Sequence, residues 1–245
     1  MELLQEISPM KPIIIANWKM NLTLENALLR AAQLDNRNYS AQILLAPPAP
    51  YLAYFASKFK NINICAQDVS TLSGYGAYTG EYSVEILKSC GINYSIIGHS
   101  ERRTTYAESN KIVKKKVENC VNARITPIIC IGETLEARQN NNYNEFILEQ
   151  ISESIPENAH SIIIAYEPFW AIGSGIAPTI EEISEIFNFI KTDDKISVVA
   201  KNAQLVYGGS VSSKNYKEIL AVPDNNGVIL GSASLDDEEL SLILH

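Results

Sequence analysis

Short apolar runs alternate with longer amphipathic segments along nearly the whole chain, and the alternation repeats eight times. The runs are rich in Ile and Val and lack the strict polar–apolar alternation of a half-exposed strand. This pattern predicts strands that are buried on both faces, as in a parallel sheet. The predicted strands are residues 12–16, 42–46, 62–66, 94–97, 125–130, 162–165, 205–207 and 228–230.

The segments between these strands carry the signals of helix ends. Thr23 precedes a stretch with apolar residues on one face, which is typical of a capped amphipathic helix. Thr179 and Glu182 form a capping box before another such stretch. Ser83 is placed to begin a further helix and Gly91 to end it. Strands and helices therefore alternate along the chain.

Eight strand–helix units in 245 residues predict an α/β protein with a closed (β/α)8 barrel, in which eight parallel strands are surrounded by helices. An open doubly wound sheet is the main alternative. The first strand–helix turn, residues 17–21, reads Asn-Trp-Lys-Met-Asn and lacks the glycine-rich dinucleotide fingerprint, which disfavours that alternative. No linker or low-complexity stretch divides the chain, so we expect one domain over residues 1–245, with residues 1–10 as an N-terminal extension.

Charge and cysteine usage narrow the function classes. The net charge is −8 with no basic stripe, which disfavours nucleic acid as a partner. We interpret the lysines at 114–116 as the solvated face of a helix. The four cysteines show no C-x-x-C spacing, so we expect reduced thiols in a cytoplasmic protein, with no metal or cofactor. Residues 1–10 do not resemble a signal peptide, and no apolar stretch approaches the roughly 20 residues of a membrane span.

Groups with reactive or anion-binding chemistry follow several of the predicted strands. In a closed barrel the C-terminal ends of the strands meet at one mouth, where barrel enzymes place their chemistry. Each group alone has an ordinary explanation, such as a surface charge, a structural histidine or a tight corner. Their convergence is what predicts a site. The groups are Asn17 and Lys19 after the first strand, His99 and Glu101 after the fourth, Glu167 after the sixth, and the turns at 208–210 and 231–232 after the last two.

These groups fit one kind of reaction. Glu167 ends a buried strand, where a carboxylate is costly unless it is solvated or used, and a glycine-flanked loop follows it, which suggests a general base with a lid. Such a base can remove a proton from carbon next to a carbonyl. His99 can polarise that carbonyl, and it leads into a predicted helix start whose dipole disfavours a charged imidazole. Lys19 supplies positive charge, and the glycine-containing turns expose N–H groups that can hold a phosphate.

The chain resembles the triosephosphate isomerase family over nearly its whole length, from about residue 11 to residue 235. Several widely spaced motifs in the family's order make this resemblance specific. They are ANWKMN at 16–21, GAYTGE at 76–81, IGHSERR at 97–103, CIGET at 130–134, AYEPFWAIG at 165–173, YGGSV at 207–211 and LGSASL at 230–235. The resemblance implies a TIM barrel that interconverts dihydroxyacetone phosphate and D-glyceraldehyde 3-phosphate through an enediol(ate), in glycolysis and gluconeogenesis, without cofactor or metal.

Matching positions imply a role for each site residue. Glu167 would be the base and His99 the neutral electrophile. Lys19 would give electrostatic stabilisation, and Asn17 would bind and orient the substrate. Residues 168–177 would form the closing lid. The further implied residues are Gly173, Ser210, Gly231 and Ser232 as phosphate-binding amides, and Glu101, Cys130 and Tyr207 in support. From the residue type itself, we interpret Cys130 as a small buried hydrophobe.

The resemblance also implies a homodimer. The loop matching residues 67–81 would reach into the partner subunit, with Thr79 at its tip. The sequence alone shows only a long loop that carries two tyrosines, which also fits an ordinary surface loop.

Several positions depart from the family's usual pattern, and three of them bear on the predicted site or the interface loop. Ser232 replaces the second glycine of the last turn, so its side chain must point away from the phosphate. Asp68 stands where an asparagine is usual. Pro178 stands in the lid hinge, where the family residue can donate an N–H to the tyrosine matching Tyr207, and proline has no N–H. We therefore hypothesise that closure relies more on other contacts, such as those of Ser210.

Two other function classes remain open at this point. A different sugar-phosphate barrel enzyme would keep the glycine turns but need not combine Asn17, Lys19, His99 and Glu167. A catalytically silent barrel that serves as a binding protein would have lost Glu167 or His99, and both are present.

Overall fold

A computed structural model describes residues 11–171 and 177–245, and in it the strands form a closed parallel barrel in chain order. β1 pairs with both β2 and β8, which closes the barrel and confirms the predicted fold class. The strands are β1 (Ile13–Asn17), β2 (Gln42–Ala46), β3 (Asn63–Ala66), β4 (Tyr94–Ile97), β5 (Thr126–Ile131), β6 (Ile163–Tyr166), β7 (Gln204–Tyr207) and β8 (Asn225–Leu230).

Helices follow the strands and cover the outside of the barrel. They are α1 (Leu24–Asp35), α2 (Leu52–Lys58), α3 (Val84–Ser89), α4 (Ser100–Thr105), α5 (Asn110–Asn122), α6 (Leu135–Gln139), α7 (Tyr143–Ser154), α8 (Ile180–Thr192), α9 (Ser197–Ala200), α10 (Tyr216–Leu220) and α11 (Asp237–Leu244). In the part of the chain that the structure describes, none of them has the length and apolar character needed to cross a membrane.

The predicted helix caps are confirmed. The Thr23 side chain accepts the N–H of Asn26 at the start of α1. Thr179 and Glu182 form a complete capping box at the start of α8, with both reciprocal hydrogen bonds present. Gly91 follows α3 with φ of +82°, a left-handed conformation that glycine adopts without strain.

The strands are buried on both faces, which explains their continuous apolar composition. Alternate side chains such as Ile15, Ile128 and Val206 fill the barrel interior. The residues between them, such as Ile14 and Ile129, pack outward against the helices. A strand with two buried faces needs no polar positions, so its sequence does not alternate.

β8 begins at Asn225, three residues before the predicted run. Gly227 pairs with Ile13, and a Cβ on Gly227 would lie 1.9 Å from the Ile13 carbonyl oxygen, so only glycine fits here. The Asn225 side chain accepts the Gly227 N–H at 3.0 Å and donates to the Ile219 carbonyl at 2.7 Å. Polar and glycine residues therefore extend the strand where apolar periodicity gives no signal.

Candidate active site

A cavity of about 940 Å³ opens at the C-terminal end of the barrel. Its walls come from the ends of strands that are far apart in sequence, and the sequence-predicted site residues meet there. The lining residues that were predicted are Asn17, Lys19, His99, Glu101, Glu167, Gly208, Gly209, Ser210, Gly231 and Ser232.

Glu167 lies directly after β6 and is only 2% exposed. Its N–H donates to the Ile131 carbonyl at 2.7 Å, which extends the β5–β6 ladder by one residue. Burial raises the pKa of Glu167 above the usual value for a glutamate, although His99 and Lys19 act in the opposite direction. The carboxylate Oε2 has no hydrogen-bond partner among the described residues. A buried carboxylate with a raised pKa beside a cavity is suited to act as a general base.

Glu167 lies against Gly208, and the contact requires a glycine. A Cβ at position 208 would approach the Glu167 Cγ to 2.6 Å and the Ile229 Cγ2 to 2.3 Å. Gly208, the first glycine of the turn after β7, therefore leaves room for the side chain of Glu167.

His99 faces Glu167 across the cavity. Its Nε2 lies 3.6 Å from the Glu167 Oε2. Its Nδ1 accepts the backbone N–H of Glu101 at 3.2 Å, at the start of α4. An Nδ1 that accepts a hydrogen bond carries no proton, so the neutral ring has its N–H on Nε2, the nitrogen nearest Glu167. This ring can donate a hydrogen bond to a carbonyl oxygen bound between the two side chains.

Lys19 is held at the mouth of the barrel by three hydrogen bonds. Its Nζ lies 2.7 Å from the Glu101 Oε1, and its N–H donates to the Asn17 Oδ1 at 3.1 Å. Its φ of +52° is left-handed, which is uncommon for a non-glycine residue. The Gln67 amide donates to the Lys19 carbonyl at 2.9 Å and to the Ala46 carbonyl at 2.9 Å. Sequence reasoning missed Gln67, whose only signal is its position after β3.

The turns after β7 and β8 provide the anion-binding part of the cavity. The described residues offer no acceptor to the backbone N–H groups of Ser210 and Ser232. A Cβ on Gly231 would lie 3.9 Å from the Lys19 Nζ, so the ammonium group is next to this turn. Free N–H groups and an ammonium group together can hold a phosphate despite the net negative charge of the protein.

Three of the remaining implied residues, Cys130, Tyr207 and Thr79, do not line the cavity. Cys130 is buried in the barrel interior, where burial and the neighbouring Glu167 raise the pKa of its thiol. Tyr207 is buried, and its hydroxyl has no partner among the described residues. Thr79 is exposed on the loop after β3 and does not line the cavity. Gly173 and the rest of the lid centre, residues 172–176, lie outside the described residues, as do residues 1–10.

The described residues at the start of the segment predicted as the lid are hydrogen-bonded to the rest of the barrel. Glu133, which is fully buried, accepts the Trp170 Nε1–H at 2.8 Å and the Tyr166 hydroxyl at 3.2 Å. The Ser210 hydroxyl donates to the Ala171 carbonyl at 3.2 Å. Glu133 lies in one of the motifs that the chain shares with the family, but the sequence did not indicate a role for it.

The interpretation of residues 114–116 as a solvated face is wrong for Lys116. Lys116 is 4% exposed and lies 2.7 Å from the Asp68 Oδ1 and 2.6 Å from the Glu108 Oε1. Arg102 contacts the same two carboxylates at 2.8 and 2.7 Å. We call these four residues the ion cluster. The third lysine of the run points inward because α5 packs there against the loop that contains Asp68.

Comparison with known proteins agrees with this arrangement. The family model described as "Triosephosphate isomerase" matches residues 12–245. A triosephosphate isomerase of Orientia tsutsugamushi (strain Boryong) is 39% identical over 243 residues, which cover 96% of this chain and 97% of the relative. One of Francisella philomiragia subsp. philomiragia is 36% identical over 249 residues, with the same coverage of both chains. The crystal structure of triosephosphate isomerase from Bartonella henselae superposes with a TM-score of 0.83 at 36% identity, covering 96% of this chain and 98% of that chain.

Proposed function

We propose, since the chain belongs to the triosephosphate isomerase family, that Glu167, His99 and Lys19 at the mouth of its barrel carry out the family's reaction. The protein is an isomerase that interconverts dihydroxyacetone phosphate and D-glyceraldehyde 3-phosphate, a step of glycolysis and gluconeogenesis. The observation that carries the proposal is the approach of the His99 Nε2 to within 3.6 Å of the buried carboxylate of Glu167.

The proposed reaction begins with proton transfer from carbon to Glu167. The substrate carbonyl lies beside the His99 Nε2–H, which polarises it and makes the adjacent C–H more acidic. Glu167 removes that proton to give the enediol(ate), and His99 moves a proton between the two oxygens. Glu167 then returns its proton to the neighbouring carbon. Lys19 stabilises the negative charge on the oxygens, and Asn17 orients the substrate.

The phosphate is held apart from the reacting carbons in this proposal. The backbone N–H groups of Gly173, Ser210, Gly231 and Ser232 bind its oxygens, and Lys19 adds positive charge beside them. Glu101 holds Lys19 and the His99 ring in place through its contacts with both. Residues 168–177 close over the substrate and exclude water.

A coupled assay of glyceraldehyde 3-phosphate conversion tests the role of Glu167. Glu167→Gln is expected to lower turnover by at least about a thousandfold while inorganic phosphate still inhibits competitively, because the phosphate site is separate. Glu181→Gln, on the exposed side of α8, is the matched control and should keep full turnover. Comparable turnover in Glu167→Gln and the wild type would remove Glu167 from the mechanism.

We further propose that the protein is a homodimer through the face around Met20 and the loop at residues 67–81. Met20 is 95% exposed directly beside Lys19, and Tyr75, Tyr78 and Tyr106 are also exposed. Large exposed apolar side chains are typical of protein–protein interfaces. In the dimer, Thr79 would reach the partner's active site.

Light scattering after size exclusion tests the dimer. The wild type is expected at twice the 27.1 kDa chain mass. Tyr75→Asp should shift the protein towards the monomer, whereas Val198→Asp, which changes an exposed apolar residue on α9, should not. A wild type of single-chain mass would refute the proposal.

We also propose a domain organisation and a cellular location for the protein. We propose one domain over residues 1–245, supported by the family match from 12 to 245 and by a single closed barrel. We propose a cytoplasmic location, supported by the metabolic reaction and by four cysteines that are all free thiols.

A further inference from the structure

Gln150 on α7 makes two hydrogen bonds to one residue of the barrel. Its Nε2 donates to the Gly132 carbonyl at 3.0 Å, and its Oε1 accepts the Gly132 N–H at 3.0 Å. Gly132 lies one residue beyond the end of β5, and Gln150 is only 5% exposed. A side-chain amide therefore gives this strand end the two hydrogen bonds that a neighbouring strand would otherwise provide.

Gly132 is in turn packed against the backbone of Glu167. A Cβ on Gly132 would lie 1.8 Å from the Glu167 carbonyl oxygen and 3.2 Å from the Pro168 nitrogen. The residues on either side of Gly132 are also bonded to this segment, since Ile131 accepts the Glu167 N–H at 2.7 Å and Glu133 accepts the Phe169 N–H at 3.0 Å. The backbone position of Gly132 therefore fixes the backbone position of Glu167.

We propose that Gln150 is a positioning residue, which holds Gly132 and through it sets the position of the Glu167 carboxylate in the active site. The inference rests on the proposed role of Glu167 as the base. Without the Gln150 amide, the Gly132 N–H and carbonyl would be buried without partners, so the strand end would shift to reach other partners or water. The backbone of Glu167 would shift with Gly132, because the two residues are in direct contact.

A displaced base lowers the rate of proton transfer more than it weakens substrate binding. Misplacement of a reacting group by about 1 Å can cost about 100-fold in rate. The phosphate-binding turns follow β7 and β8 and make no hydrogen bond to Gln150 or Gly132 among those described. Loss of the Gln150 amide should therefore change kcat and leave KM almost unchanged.

The test compares Gln150→Met with Asn225→Leu. Met has nearly the length of Gln but forms no amide hydrogen bonds. Asn225 also makes two hydrogen bonds to backbone, to Ile219 and Gly227, but at the opposite end of the barrel. Gln150→Met is expected to lower kcat by about 10- to 100-fold with KM within about threefold. Asn225→Leu is expected to lower the urea midpoint and to keep kcat within about twofold.

A conservative variant keeps the test decisive if Gln150→Met folds poorly. In Gln150→Glu the carboxyl still accepts the Gly132 N–H, and only its protonated form can donate to the Gly132 carbonyl. The ratio of its kcat to that of the wild type should therefore rise as the pH falls.

Three results would overturn the inference: a kcat of Gln150→Met within twofold of the wild type, a loss of kcat in Asn225→Leu equal to that in Gln150→Met, or a pH-independent ratio for Gln150→Glu. Glu167→Gln, measured in parallel, separates the two claims. If Glu167→Gln is inactive and Gln150→Met is normal, only the positioning role fails. If Glu167→Gln is active, the role of Glu167 itself fails.

Discussion

Replacement of Lys116 by Met should be among the most destabilising single changes on the outer helices. Lys116 is buried and hydrogen-bonded to both oxygens of Asp68, at 2.7 and 2.8 Å, and to the Glu108 Oε1, at 2.6 Å. Arg102 is the other cation of the ion cluster. In Lys116→Met, two carboxylates share the single positive charge of Arg102.

The magnitude follows from these contacts. Three charge-assisted hydrogen bonds at about 1.5 kcal/mol each amount to about 4.5 kcal/mol. Removal of one partner from a buried ion pair typically costs about 3–5 kcal/mol, because the other charge stays buried. We expect a loss of about 3–5 kcal/mol in the free energy of unfolding. Lys115→Met removes an exposed lysine whose Nζ lies 3.8 Å from the Glu118 carboxylate, and should cost no more than about 0.5 kcal/mol.

Urea unfolding measures the free energy of unfolding of both variants. All samples are compared at one protein concentration, because association of subunits would raise the apparent stability as the concentration rises. A second change checks the electrostatic reasoning. Lys116→Met with Asp68→Asn restores the balance of one cation and one anion, so the double variant should lose at least about 1 kcal/mol less than the sum of the two single losses. A loss below about 1 kcal/mol in Lys116→Met, or strict additivity in the double variant, would refute the reasoning.

Four further predictions concern residues in and around the active site. Burial raises the folded-state pKa of Glu167, so the ionised carboxylate destabilises the folded protein at neutral pH. Glu167→Gln should therefore raise the free energy of unfolding by about 0.5–2 kcal/mol at pH 7. It should leave that free energy unchanged below the unfolded-state pKa, and urea unfolding at several pH values measures both effects. For the same reason, the kcat/KM of the wild type should fall with decreasing pH around a value above that of an ordinary glutamate. Tyr207→Phe should keep kcat within about threefold, because Pro178 has no N–H to offer its hydroxyl; a hundredfold loss would contradict this. Gly132→Ala should lower the free energy of unfolding by about 1–3 kcal/mol, because the added Cβ would lie 1.8 Å from the Glu167 carbonyl oxygen. Gly231→Ala is the control and should leave stability nearly unchanged, because its Cβ would lie 3.6 Å from the Lys19 Cε.

Features encoded by short-range pattern could be predicted from the sequence. The strands of the barrel are continuous apolar runs because both faces are buried, and the caps at Thr23 and Thr179 are local in sequence. The position of Glu167 also followed from such a pattern, because a carboxylate directly after a buried strand stands at the barrel mouth.

Features that depend on contacts between distant segments could not be predicted in this way. Lys116 lies in a run of three lysines that reads as a solvated helix face, and only the packing of α5 against Asp68 shows that it is buried. Gln150 and Gly132 are 18 residues apart, and nothing in their spacing indicates two hydrogen bonds between them. Gln67 and the left-handed backbone of Lys19 are likewise visible only in the folded chain.

The central claim is that Glu167 transfers a proton between two substrate carbons, and deuterium uptake tests it most directly. Dihydroxyacetone phosphate is converted in D2O and the product is analysed by NMR. A proton held on the Glu167 carboxyl can exchange with solvent, so the account predicts glyceraldehyde 3-phosphate with deuterium at C2, and no uptake with Glu167→Gln. Rapid conversion by Glu167→Gln with the same deuterium uptake at C2 as in the wild type would contradict the account.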